Sequence, residues 1–105
     1  MSVDAEAAGT RALVLAALAE HNASLPDDER VSSALDTRLV GERGVLDSVA
    51  LVGLIVLIEE RVQRELGLAL TVADDRAFSQ EKSPFRTLGA LCEYVELLVR
   101  EARGG

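Results

Sequence analysis

The sequence predicts an all-α protein: a small four-helix bundle with three main helices, a short helix between the second and the last, and a long loop joining helices one and two. Three stretches carry apolar residues at helical steps. Residues that start or stop helices stand at their ends, among them Asp47-Ser48, Gly67 and Thr87. A chain of 105 residues fits one domain with a single small core. The domain is read over 1–105, with its core at about 8–99 and fraying ends.

Residues 1–9 are small, polar and acidic, and read as a frayed lead-in. From Thr10 the pattern turns helical, with Leu13, Ala16, Ala17 and Glu20 at helical steps and Leu15 and Leu18 widening the apolar face. The first helix is therefore expected from about residue 5 to residue 21, ending at Asn22. His21 has no second histidine to act with, and a histidine at a helix end is favoured by the dipole, so it is read as structural.

Residues 22–47 form a long connection with a turn or short helical start at Pro26-Asp27-Asp28-Glu29. Leu35, Leu39, Val40 and Leu46 are expected to pin it across the bundle, because so long a structureless stretch is uncommon in a small domain. The acidic cluster lacks the alternating oxygen spacing and the glycine of a calcium loop, and reads as a solvated turn.

The second helix begins at Ser48. Leu51, Ile55, Ile58, Val62 and Leu66 recur at steps of four, three, four and four, a stripe expected to face the core. Val49, Gly53, Val56 and Glu60 run down a different face, expected to be open; the alternative is a helix buried on most sides. A glycine within a helix costs about 1 kcal/mol relative to alanine, which is easier to rationalise where something must approach closely.

Gly67 stops that helix, Leu68 and Leu70 alternate inward, and Thr71 or Asp74 is expected to cap a short helix through Phe78. Residues 79–86 read as a polar loop in which Lys82 and Arg86 are solvated. Thr87 caps the last helix, whose apolar stripe is Leu88, Leu91, Cys92, Val95 and Leu98, before a tail that frays from Arg100. Cys92 lies inside that stripe, with no local histidine or helix start to lower its pKa, and is read as inert.

Ser48 sits where the loop hands over to the second helix, with an acid before it and almost nothing polar for ten residues after it. Two readings are open. In one, Asp47 or Ser48 is a helix N-cap, although Leu51 in place of Glu or Gln leaves no capping box. In the other, the hydroxyl is a modification site at a helix start, where free N–H groups and the dipole favour an attached phosphate.

The run Leu35-Asp36-Thr37-Arg38-Leu39, then Gly44-Val45-Leu46-Asp47-Ser48-Val49, then a helix closing in Glu59-Glu60, resembles the carrier-protein superfamily of acyl, aminoacyl and D-alanyl carriers. The likeness resumes at Thr87-Leu88-Gly89-Ala90-Leu91-Cys92-Glu93-Tyr94-Val95 and covers roughly residues 8–99. Gly-Val-Leu-Asp-Ser is closer to freestanding D-alanyl and aminoacyl carriers than to the fatty-acid type. The resemblance implies a carrier-protein bundle in which Ser48 bears 4′-phosphopantetheine and Asp47 helps bind the phosphopantetheinyl transferase and its metal. It also implies a partner surface along helix two, at Val49, Gly53, Val56, Glu59 and Glu60. Fatty-acid carriers stud that surface with carboxylates; here valines and a glycine replace them until Glu59, so docking is expected to lean on apolar contact.

The expected function is a freestanding carrier of acyl or aminoacyl thioesters. It would be loaded by a ligase or transferase and serve downstream enzymes of a biosynthetic pathway, of polyketide or nonribosomal-peptide type. The rival is an unmodified helical adapter that binds a protein through the same stripe. No enzyme activity is expected, because the sequence carries no Ser-His-Asp set, paired catalytic carboxylates, metal-ligand cluster or phosphate-cradling glycine loop. A net charge of −7 argues against nucleic acid as a partner. A single cysteine and the lack of a recognisable secretory signal or long apolar span lead to a cytoplasmic, membrane-free monomer as the expectation.

Overall fold

Three helices carry the described residues: α1 at Val3–Ala23, α2 at Ser48–Leu66 and α3 at Leu88–Ala102, with a 3-10 turn at Asp27–Glu29. The computed structural model describes residues 3–40, 46–72 and 84–104, and the side chains of 9–40, 46–47, 49–72 and 84–104. Among these residues there is no strand, and the short helix expected between Thr71 or Asp74 and Phe78 lies almost wholly outside them, as does Lys82.

α1 is the element against which both other helices pack. Its buried face is Thr10, Leu13, Val14, Ala17 and Leu18, the three-and-four spacing of one helical stripe. Val14 takes the inward place expected of Ala16, which is half-buried, and Glu20 turns outward. Glu20 instead pairs at 3.3 Å with Arg61, which also reaches Glu65 at 3.4 Å. Such exposed pairs contribute at most about 1 kcal/mol, so they orient the two helices more than they hold them.

The helix begins at Val3, inside the stretch expected to fray. It also runs one residue past Asn22. Asn22 does a different job: its Nδ2 donates to the carbonyl of Val31 at 2.9 Å while its Oδ1 accepts from the Val31 N–H at 2.8 Å. That pair of bonds ties the long connection back to the end of α1 and holds Val31 in the core.

The rest of the connection is fixed to the start of α3. Leu39 N–H donates to Arg86 O at 3.1 Å, Leu88 N–H to Thr37 O at 2.9 Å and Gly89 N–H to Leu35 O at 2.7 Å. Leu39 and Leu46 are buried as expected and Val40 is half-buried, but Leu35 is exposed, because its backbone carbonyl and not its side chain makes the contact. A side chain at Gly89 would put its Cβ 3.0 Å from that carbonyl oxygen, so the close approach favours glycine.

α2 buries Leu54, Ile55, Ile58 and Val62, with Leu51 and Leu66 half-buried at its ends. Leu54 thus joins the expected stripe and widens it. Gly67 closes the helix in the left-handed conformation, φ 69°, its N–H donating to Gln63 O at 3.0 Å. Leu68 and Leu70 are half-buried and Val72 is fully buried.

α3 is capped by Thr87, whose Oγ1 accepts from the Ala90 N–H at 3.1 Å. The expected stripe is buried, together with Ala90, Tyr94 and Val99. The helix continues through Ala102, past the predicted fraying point at Arg100, because Val99 still packs in the core and Arg100 bonds Glu96 one turn back. Phe85 fills the core as one of its largest side chains, an exception to the aliphatic interior that the scarcity of aromatics suggests. No helix of the described residues is long and apolar enough to cross a membrane.

Candidate functional site

The start of α2 is built by Asp47. In an extended conformation (φ −84°, ψ 178°), it accepts from the Ala50 N–H through Oδ1 at 2.8 Å, and its carbonyl takes the Leu51 N–H at 2.9 Å. The capping role left open between Asp47 and Ser48 therefore belongs to Asp47, and Ser48 is the first helical residue. The Ser48 side chain lies outside the described residues. Its neighbours on both sides are exposed, Asp47 and Val49, the latter by 82%. The Val49 N–H has no hydrogen-bond partner among the described residues.

Below this turn runs an open apolar face. Val49, Val52, Gly53 and Val56 follow one another at helical steps, with Val52 57% and Val56 43% exposed. Val52 belongs to this face although the sequence stripe passed over it. At Gly53 an added Cβ would meet nothing within 4 Å, so no intramolecular contact accounts for the glycine. The two acids that end the face separate in role: Glu60 is exposed, whereas the Glu59 carboxylate accepts from the Val72 N–H at 2.7 Å and anchors the segment after α2.

On the other side of the same turn lies a groove of about 490 Å³, lined by His21, Leu25, Arg30, Leu46, Asp47 and Ala50 together with acids of the 3-10 turn. Its walls come from three separate segments that only the folded connection brings together, so no local pattern marks it. His21 is one of the lining residues, and its Nε2 is buried without a hydrogen-bond partner. Arg30 at its edge is engaged by Asp27 at 2.9 Å and by the carbonyl of Leu25 at 3.2 Å.

Elsewhere the described residues offer little chemistry. Among the described residues no group of three or more His, Cys, Asp or Glu side chains is placed to hold a metal ion. Cys92 is buried in α3, and burial pushes its thiol pKa up, which lowers its thiolate fraction and its nucleophilicity. No protein-family model, no curated protein and no solved structure matches this chain.

Proposed function

We propose that this chain is a carrier protein that holds acyl or aminoacyl groups as thioesters on a 4′-phosphopantetheine arm attached to Ser48. The observation that carries the reading is the first turn of α2. Asp47 supplies the cap, so the hydroxyl beside it is not needed for that purpose, and both flanking residues are exposed. A phosphodiester at the first residue of a 19-residue helix also suits the positive end of its dipole. In the attachment step Ser48 Oγ attacks the pantetheine-side phosphorus of coenzyme A. The phosphoanhydride bond breaks, adenosine 3′,5′-bisphosphate leaves, and the serine proton passes to the transferase or to solvent. Once in place, the arm supplies a terminal thiol for thioester exchange.

The valine face of α2 supports apolar docking of the transferase, loading enzymes and downstream enzymes next to the serine. Covering a valine fully contributes about 1.5–3 kcal/mol, and Gly53 lets a partner approach the helix backbone. Glu60 would rim that surface, while Glu59 is already engaged by the chain itself. The four-helix carrier topology is part of this proposal, and so is the absence of catalysis by the chain alone.

Incubation with coenzyme A and a broad-specificity transferase is expected to add one phosphopantetheinyl mass to the intact protein, and Ser48→Ala is expected to abolish the addition. The exposed valine face equally favours an adapter that is never modified. Unchanged intact mass, with partner binding retained in Ser48→Ala, would decide for the adapter.

A further inference from the structure

We propose that the open face of α2 pairs with the same face of a second copy of this chain, the two helices antiparallel and crossing at Gly53. The inference rests on that face alone and needs neither an arm nor a modified serine.

Spacing is the first argument. Val49, Val52, Gly53 and Val56 stand three, one and three residues apart, an order that reads the same from either end. Two copies laid antiparallel about a twofold axis therefore set Val49 of one against Val56 of the other, and Val52 against Gly53. Each Val52 side chain then enters the space that the opposite glycine leaves, the ridge-into-groove fit by which helices pack. The chain does not fill that space itself: a Cβ at Gly53 would meet nothing within 4 Å, and Val52 is 57% exposed.

Charge is the second. At −7 per chain, two copies repel one another unless the contact itself is neutral. This face is uncharged from Val49 to Val56, and the exposed acid that follows along it is Glu60. A helical side chain leans toward the N-terminus of its own helix, so in an antiparallel pair Glu60 lies over the first turn of the other copy's α2. There the dipole is positive and the Val49 N–H has no hydrogen-bond partner among the described residues. Asp47, the acid of that turn, already accepts from the Ala50 N–H at 2.8 Å. A parallel pair would instead bring the two Glu60 side chains together and align the two dipoles, so charge selects the antiparallel form.

Area sets the strength. Three partly exposed valines and a glycine on each side fall well short of the roughly 20–30 residues a side of a standard stable interface. The pair is therefore transient, with a dissociation constant on the order of 0.1 mM, and the dilute chain is a monomer. On the carrier reading the same face receives enzymes, so pairing and docking exclude one another.

The experiment uses the full unmodified chain in sedimentation equilibrium at about 0.01 to 1 mM, a range that brackets a weak pair. A monomer at the low end and a rising share of dimer toward the high end are expected. Val52→Glu, at an exposed position, is expected to keep its helical circular dichroism and to weaken pairing about tenfold or more, because it brings like charges into the contact. Gly53→Leu adds apolar surface yet fills the space that Val52 enters, and is expected to weaken pairing by about tenfold as well. Stronger association in Gly53→Leu overturns the crossing at Gly53. Under mild oxidation, Val49→Cys mixed with Val56→Cys is expected to form a disulfide between the two variants, while the buried Cys92 forms none. Val49→Cys alone is expected to cross-link poorly, since the two copies of residue 49 are offset by about 10 Å along the helices. A disulfide that forms best between two Val49→Cys chains overturns the antiparallel arrangement. A monomer throughout the range overturns the pairing and leaves the face to a protein of another kind. The carrier reading, tested by intact mass, stands or falls separately.

Discussion

The first turns of α2 and α3 are capped alike, Asp47 accepting from Ala50 at 2.8 Å and Thr87 from Ala90 at 3.1 Å, and they differ in everything that surrounds the cap. At α3 the connection closes over the turn: the N–H groups of Leu88 and Gly89 go to the carbonyls of Thr37 and Leu35, and the Leu88 side chain is fully buried. At α2 the equivalent of Gly89 is Val49, 82% exposed and with its N–H unpartnered among the described residues. Local sequence chemistry makes a helix start; whether that start is sealed or left available is decided by which segment packs on it. The available one is the one that carries the serine.

Substitutions in the two first turns sharpen that contrast. Leu88→Ala is expected to cost about 2–5 kcal/mol in denaturant unfolding, the range for a leucine that leaves a core cavity. Val49→Ala, at the corresponding end of α2, should stay within about 0.5 kcal/mol of the parent; equal losses at the two positions would break the contrast. Gly89→Val comes next, at about 1–3 kcal/mol, because its Cβ would press on the Leu35 carbonyl and strain the bond that seals α3. The last change has the opposite sign. Gly53→Ala is expected to stabilise the chain by up to about 1 kcal/mol and raise its melting temperature, since the new methyl meets nothing. Two glycines in helices thus answer to different needs, one to a neighbour within the chain and the other to nothing within it.

The helices were legible because their signals are local. Thr87 and Gly67 act within a turn or so of their own position, and the apolar stripes of α2 and α3 can be traced by period alone. The departures came where a residue works at a distance. Asn22 looks like a helix stop and is a clamp on Val31; Leu35 looks like a core residue and contributes its backbone; Glu59 looks like surface charge and holds Val72. Each of these bonds spans nine residues or more, and no periodicity encodes it. The start of α2 was found from Asp47-Ser48 and its valine face from the spacing of Val49, Gly53 and Val56. Val14 takes the inward place expected of Ala16, and Glu20 turns outward, because a stripe traced through alanines leaves the rotation of α1 loosely set until α2 and α3 pack on it.

Cys92 carries the chain's only sulfur nucleophile, and its burial in the core bears on what a carrier can be trusted to keep. Thioesters migrate to whatever thiolate they meet. A cysteine shut inside the bundle, with its proton held more tightly than usual, is no acceptor for cargo swinging outside. On the carrier reading proposed above, the protein would therefore not draw its own load onto this thiol.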